Sequence, residues 1–279
     1  MKNRGKFRRN PVESADESPL NAAVNLRDRE TMTLVRRAVE THNVMLAYQP
    51  VFQSTGLARP AFYEGLIRLM DDTVRIIPAR DFIDAIEVTE TGRIIDCLAL
   101  DHGLKALATD NSLRLAINMS ARSIAYPRWM QTLNRGLRPD PTLAERLILE
   151  ITETSAMMVP EIVAVFMKSL QAKGISFALD DFGAGPTSFR HLRQFYFDFV
   201  KIDGQFIRGI AANADNQVLA QAMLDVARNF DMIAVAESVE SAADAACLRA
   251  MGMDCMQGYF FGAPTITPPW RLPKMKKPA

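Results

Sequence analysis

A chain of 279 residues has room for one large domain or two small ones, and single α/β barrels reach this length. Apolar residues at 48% and charged residues at 23% are ordinary globular usage, which excludes wholesale disorder. The 33 basic and 32 acidic residues leave a net charge of +1, too balanced for a dedicated binder of nucleic-acid polymers. That balance hides an asymmetry. The first ten residues carry five basic side chains and the last ten carry four, neither with an acid, so the intervening body stands at −8. An acidic body that handles an anionic substrate calls for a metal ion.

In chain order, residues 1–27 are polar and without periodicity and read as a mobile tail. Their basic start leads into polar and acidic residues where a secretory signal would have an apolar stretch. A helical pattern follows over 29–41, with Leu34, Val35, Ala38 and Val39 on one face. Strands are expected at 45–53, 61–69, 113–118, 146–151, 175–180, 197–202, 233–237 and 254–257, with helices near 80–108, 160–173, 187–194, 214–230 and 241–251. Ser54-Thr55-Gly56 between the first two strands is a hairpin signal, so that pair is expected to be antiparallel. The remaining alternation implies parallel strands joined by right-handed crossovers. The reading is a modified TIM-type (β/α)8 barrel over 28–270 with one antiparallel strand near the N-terminal hairpin, and a basic tail over 271–279. A doubly wound open sheet is the rival that periodicity leaves standing. Three cysteines (Cys97, Cys247 and Cys255) without motif spacing argue for a reducing compartment, and no apolar run approaches the ~18–20 residues of a membrane span. A cytoplasmic location is expected.

Where each apolar run stops is the informative pattern. Successive runs end on Asn118, Glu150, Asp180-Asp181, Lys201, Glu237 and Gln257. In a barrel those ends converge on one mouth, where active sites of this architecture lie. Any single strand can end on a polar residue as it meets solvent, but six doing so with this oxygen-rich set point to a site. Carboxylates and an amide oxygen are hard donors suited to Mg²⁺ or Mn²⁺, whereas zinc more often recruits His or Cys. His42, His102 and His191 lie away from these ends. The pair Asp180-Asp181 suggests an aspartate shared between two ions, the alternative being that Asp181 only caps the loop that follows.

With these residues in view, the chain from about Met45 to Pro264 resembles the EAL-domain cyclic-di-GMP phosphodiesterases. Tyr48-Gln49-Pro50, Glu64-Gly65-Leu66-Ile67-Arg68, Ile117-Asn118-Met119-Ser120 and Leu149-Glu150-Ile151-Thr152-Glu153 occur in the family's order. Asp180-Asp181-Phe182-Gly183, Val200-Lys201-Ile202-Asp203 and Gln257-Gly258-Tyr259 continue it. Each short segment is weak alone; seven in order are specific.

The resemblance implies a barrel enzyme that opens cyclic di-GMP to linear pGpG with two divalent ions, Mg²⁺ or Mn²⁺, with Ca²⁺ inhibitory. It implies Glu64, Asn118, Glu150 and Asp180 as ligands of one ion and Asp180 with Asp181 of the second, Gln257 supporting them. Glu237 resembles the general base or water anchor, Lys201 the residue that holds the nucleophilic water, and Glu240 a catalytic support. Gln49, Leu66, Arg68 and Asp203 are implied as substrate contacts, and Glu153 as the support of the loop after Asp181. A homodimer and a regulatory protein partner are further implications.

Three positions depart from the family pattern. Gly65 stands for the motif alanine, and Pro186 occupies a loop position that is usually aromatic. Ser238 replaces a glycine; a positive φ there would strain the serine and re-aim Glu237. These departures support the alternative of a catalytically silent cyclic-di-GMP receptor that acts through a protein partner, although every implied metal ligand is present.

Overall fold

The computed structural model describes residues 19–57, 59–185 and 192–271. Its order is α1 (Pro19–Glu40), β1 (Val44–Gln53), β2 (Phe62–Met70), β3 (Ile76–Pro78), α2 (Ile83–Ile86), α3 (Glu90–Thr109), β4 (Leu115–Asn118) and α4 (Pro127–Leu137). Next come β5 (Leu147–Thr152), α5 (Glu153–Met158), α6 (Pro160–Gln171), β6 (Ser176–Phe182), β7 (Phe199–Ile202) and α7 (Gly204–Ile207). The last elements are α8 (Ala214–Asn229), β8 (Ile233–Ala236), α9 (Ala242–Met251) and β9 (Cys255–Gln257). The sheet runs β1-β9-β8-β7-β6-β5-β4-β2-β3, and the pairing of β1 with β2 closes eight of these strands into a barrel. β1 is antiparallel to both neighbours, β3 is an extra antiparallel strand outside the ring, and the other barrel pairs are parallel. The closed barrel with one antiparallel strand is the expected architecture, and the open-sheet rival is excluded.

Strand alternation divides the barrel's side chains into two sets. Leu115, Ile117, Leu147, Leu149, Ile151, Phe177, Leu179, Val200 and Ile202 pack outward into the large core under the helices. Val51, Phe62, Ala116, Ile148, Ala178, Val235 and Cys255, with Phe199, fill the barrel's own interior. Each barrel strand places its functional side chain two positions from a member of this inner layer, hence on the same face. Phe62 is followed by Glu64, Ala116 by Asn118, Ile148 by Glu150 and Ala178 by Asp180. Phe199 is followed by Lys201, Val235 by Glu237 and Cys255 by Gln257, while Gln49 precedes Val51 because β1 runs the other way. An apolar floor therefore lies beneath a polar layer.

The differences from expectation have local causes. α1 begins at Pro19, ten residues early, so 19–27 are helical rather than tail; proline suits a first turn, and Leu20, Ala22, Ala23 and Leu26 are good helix formers. The single helix expected near 80–108 is two, broken at the β-branched pair Val88-Thr89, where the Thr89 hydroxyl donates to the Ile86 carbonyl at 2.7 Å. α4 was unanticipated: Pro127 opens it, and Trp129, Leu133 and Leu137 form a buried stripe at i, i+4 and i+8. β3 was missed because it is three residues long; Asp71 sets its turn by accepting from the backbone N–H groups of Thr73 and Arg75. Pro186, and the expected helix at 187–194 apart from its last three residues, lie outside the described residues. All three cysteines are free thiols. No helix among the described residues is long and apolar enough to cross a membrane.

Candidate active site

The polar layer converges on Lys201, which is 1% exposed. Its Nζ lies 2.7 Å from Glu237 Oε1, 3.0 Å from Asp180 Oδ1, 3.2 Å from Glu150 Oε2 and 3.4 Å from Glu64 Oε2. Four carboxylates from β2, β5, β6 and the end of β8 thus share one ammonium. Asn118 Nδ2 donates to Glu64 Oε1 at 2.8 Å, and Gln257 Nε2 donates to Glu64 Oε2 at 2.6 Å. Gln257 also donates to Gln49 Oε1 at 3.2 Å, and Gln49 donates in turn to the Gly262 carbonyl at 3.1 Å.

Burial and mutual repulsion set the protonation of this cluster. Burial opposes ionisation of Glu64, but Lys201 and the amides of Gln257 and Asn118 outweigh it and hold its pKa below the ordinary carboxylate value. Glu150 goes the other way: burial, only partly offset by Lys201, pushes it well above, and Glu64 and Asp180 add to the rise. Burial, again against Lys201, takes Glu237 up to about 8, with Asp180 and Glu64 contributing. Burial and Asp180 lift Asp181 to about 6. Burial disfavours the Lys201 ammonium, yet Asp180, Glu150, Glu237 and Glu64 drive its pKa well above the usual lysine value, so it carries a fixed charge and is no base at neutral pH.

Asp181 reaches the site by a different route. As the residue after Asp180 it would face the opposite side of a regular strand. The register shifts between Leu179 and Phe182, and Asp181 takes φ +56°, a left-handed conformation aspartate tolerates better than most side chains. This bulge brings it to the cleft, where it forms one acidic group with Asp180 and Glu237. A second group comprises Glu64, Glu150 and Asp180, so Asp180 belongs to both.

The donor set fits a hard divalent cation. All candidate ligand atoms are carboxylate or amide oxygens, and the Oε1 atoms of Glu150 and Gln257 are buried without a hydrogen-bond partner. Buried acceptors are ordinarily satisfied, so two orphans inside an acidic cluster are places for a cation.

The remaining expected residues are distributed unevenly. Leu66 and Arg68 share a strand face with Phe62 and Glu64 and line the cleft, which has a volume of about 320 Å³. Glu153 is fully buried, and its Oε2 accepts the Gly183 N–H at 3.0 Å, against the loop that follows Asp181. Two residues stand apart from the cluster. Asp203 does not line the cleft; its Oδ1 caps α7 by accepting the Gln205 N–H at 2.7 Å. Glu240 is half-exposed at the cleft mouth and faces Arg208, with Nε to Oε1 3.5 Å, instead of Lys201. Ser238 has φ +54°, the positive φ that its glycine-like position implied. Sequence reasoning missed Arg80 and Arg208, which line the same cleft with Tyr259. Neither arginine closes one of the expected strands, so the signal that found the others does not mark them.

A barrel in which five of eight strands deliver a carboxylate–lysine cluster to one mouth defines a class of proteins, and comparison places the chain within it. Residues 33–264 match the EAL domain. The chain belongs to the EAL domain family. It is 30% identical over 237 residues to the cyclic di-GMP phosphodiesterase PdeF of Escherichia coli (strain K12), covering 84% of this chain and 31% of that protein. It is 29% identical over 234 residues to the cyclic di-GMP phosphodiesterase PdeB of Shewanella oneidensis, covering 82% and 27% respectively. It therefore spans less than a third of these relatives. Among solved structures, the PaMucR phosphodiesterase in complex with c-di-GMP superposes with a TM-score of 0.74 at 26% identity, over 85% of this chain and 97% of that one. The FimX EAL domain from Pseudomonas aeruginosa bound to c-di-GMP, at 24% identity and a TM-score of 0.77, shares the fold over the same fractions.

Proposed function

We propose that the chain is a metal-dependent phosphodiesterase that hydrolyses cyclic di-GMP to linear pGpG in the cytoplasm, working as a homodimer. The observation that carries this reading is the intact cluster of Glu64, Glu150, Asp180 and Glu237 around Lys201, with an unpartnered Glu150 oxygen inside it. Glu64, Asn118, Glu150, Asp180 and Asp181 would hold two Mg²⁺ or Mn²⁺ ions, with Gln257 fixing the Glu64 carboxylate. Bound there, the ions supply Lewis acidity, polarising phosphoryl oxygen and making water nucleophilic at neutral pH.

The protein's own groups then divide the work. Lys201 keeps its charge and stabilises negative charge that builds up beside the cluster. Glu237, held 2.7 Å from Lys201, is the candidate base; burial raises its pKa to about 8 in the metal-free cluster, and divalent ions bound beside it would favour the ionised form that takes a proton from water. Arg68 lines the cleft on the β2 wall, where a guanidinium would orient a phosphate. Gln49 and Leu66 complete that wall. The test is turnover of cyclic di-GMP by the purified chain with Mg²⁺ or Mn²⁺ and its loss in chelator; turnover that persists in chelator would refute the mechanism.

One observation favours the second reading, a silent receptor that signals through a partner: the left-handed Ser238 directly follows Glu237. Binding of cyclic di-GMP without turnover under every divalent ion would establish it.

A further inference from the structure

The Arg208 side chain is built into the mouth of the cleft by three residues that the proposed chemistry leaves unused. Its Nη2 donates to Ser238 Oγ at 3.0 Å, and its Nε faces Glu240 Oε1 at 3.5 Å. Gly204, at the start of α7, makes the space: a Cβ there would lie 2.7 Å from the Ser238 Cβ and 3.2 Å from the Arg208 Nη2. Ser238 itself holds a left-handed φ of +54°, a conformation that costs a non-glycine residue free energy. A strained serine seated on a glycine and hydrogen-bonded to an arginine is a device for aiming that arginine.

The barrel order shows where it is aimed. Around the ring β1-β9-β8-β7-β6-β5-β4-β2, the strand that carries Arg68 lies opposite β7, which leads into α7 and Arg208. Arg68 and Arg80 stand on one wall of the cleft and Arg208 on the other. The two sides differ in charge. Arg208 has a carboxylate beside it in Glu240, so it presents a planar set of donors with little excess charge. Nη2 bonds Ser238 and Nε faces Glu240, which leaves Nη1, with Nη2 beside it, as the outer donor edge of the guanidinium. Two parallel N–H groups without much net charge suit a neutral base edge with two acceptors better than a phosphate, and the O6/N7 edge of guanine is that edge.

We propose that Arg208, positioned by Ser238, Glu240 and Gly204, reads a guanine base of the cyclic dinucleotide and sets the preference for guanine over adenine. This rests on the proposed cyclic-di-GMP reading and adds a specificity residue to it. Adenine offers N7 but replaces the O6 acceptor with an amino donor, so a guanidinium fork loses one bond and meets a clash of donors.

The experiment measures dissociation constants for cyclic di-GMP and cyclic di-AMP in wild type, Arg208→Met, Arg208→Lys and Ser238→Gly, with a melting temperature for each. Arg208→Met is expected to weaken cyclic di-GMP by about 10- to 100-fold and cyclic di-AMP far less, narrowing the preference. Arg208→Lys keeps the charge but not the fork and should narrow it too. Ser238→Gly should melt higher, because the strain is gone, yet discriminate less, because Arg208 loses its anchor. Equal weakening of both dinucleotides, or a lower melting temperature with unchanged preference, would overturn the assignment. Wild type that binds cyclic di-GMP while every variant keeps its preference refutes the inference alone. Wild type that binds neither dinucleotide refutes the proposed function and this inference together.

Discussion

Stability in the absence of metal should fall as pH rises, and divalent ions should offset part of that fall. The fold holds Glu237 at a pKa of about 8 where an unfolded chain would release the proton near 4.5. Between those values the folded state binds a proton that the unfolded state lacks, so unfolding free energy declines as pH rises and levels off above about 8. At about 1.36 kcal/mol per pH unit the ionised fold is penalised by about 4–5 kcal/mol for this group alone. Asp181, lifted to about 6 and partly exposed, adds a smaller contribution of the same sign at lower pH. Lys201 contributes no opposing slope here, since its pKa lies well above 10.5.

A cation that binds the ionised cluster stabilises it by about 2.7 kcal/mol at a hundredfold excess over its dissociation constant, and it binds best where the carboxylates have lost their protons. Urea unfolding at pH 5.5, 7.0 and 8.5, in chelator and in Mg²⁺, reads both effects. Asp96 provides the control. Its buried carboxylate, raised to about 7 by burial although it accepts from Ser123 Oγ and the Ser120 N–H, gives a slope of the same sign away from the cluster. Asp96→Asn should remove that part and leave the Mg²⁺ response intact. A chelated protein equally stable at all three pH values, or a Mg²⁺ increment as large at pH 5.5 as at 8.5, would refute the reasoning.

Other expectations follow from the same geometry. Glu64→Ala and Asp180→Ala should each reduce cyclic di-GMP turnover below about a tenth of wild type with the fold retained by circular dichroism, because each removes a carboxylate from the Lys201 cluster. Glu237→Gln should lower kcat by about 100-fold or more with little change in dinucleotide affinity, measured by steady-state kinetics beside equilibrium binding. Ca²⁺ should bind the same hard oxygens at longer distances, polarise water less and inhibit competitively against Mg²⁺; equal rates with both ions would contradict this. Gly258→Ala should destabilise by about 2 kcal/mol or more in urea unfolding, because a Cβ at Gly258 would overlap the backbone of Val239, which cannot yield as a flexible side chain would.

What was legible in the sequence was whatever one strand encodes alone. A run such as Ile148-Leu149-Glu150 announces both a strand and a polar side chain two positions beyond an interior residue. Eight expected strands carried the barrel, and the ends of six carried most of its polar layer; Gln49 and Glu64 were legible only through the resemblance. Features that depend on distant partners were hidden. Asp181 was legible as a candidate, but the bulge set by pairing with β7 that brings it to the cleft was not, and the role proposed for Arg208 depends on Ser238 and Glu240, thirty and thirty-two residues on. Asp203 shows the converse, a residue at a strand end whose local Asp-Gly-Gln sequence encodes a helix cap. Gly65 is subtler. The missing methyl is replaced by packing, since a Cβ there would lie 2.7 Å from the Ile117 Cδ1 of the neighbouring strand, so the loss visible in sequence is not a void in the fold.

The electrostatics of the cleft explain why a site proposed to hold cations is flanked by arginines. Four carboxylates around one lysine leave the cluster strongly negative when all are ionised. Each like-charge pair about 6 Å apart costs about 3 kcal/mol at an effective dielectric constant near 20, so a phosphodiester approaching the bare cluster is repelled by more than a few hydrogen bonds could offset. Protonation of Glu237 and Glu150 relieves the repulsion but removes the acceptors that the proposed chemistry uses. Divalent cations relieve it and keep those acceptors ionised. Arg68 and Arg80 lie at the rim, outside the carboxylate cluster, so they would attract and orient an anionic ligand without neutralising the groups that would hold the metal, while Arg208 on the other wall is paired with Glu240. A cleft with arginines inside and carboxylates at the rim would bind the same anion and have nowhere to hold a divalent ion.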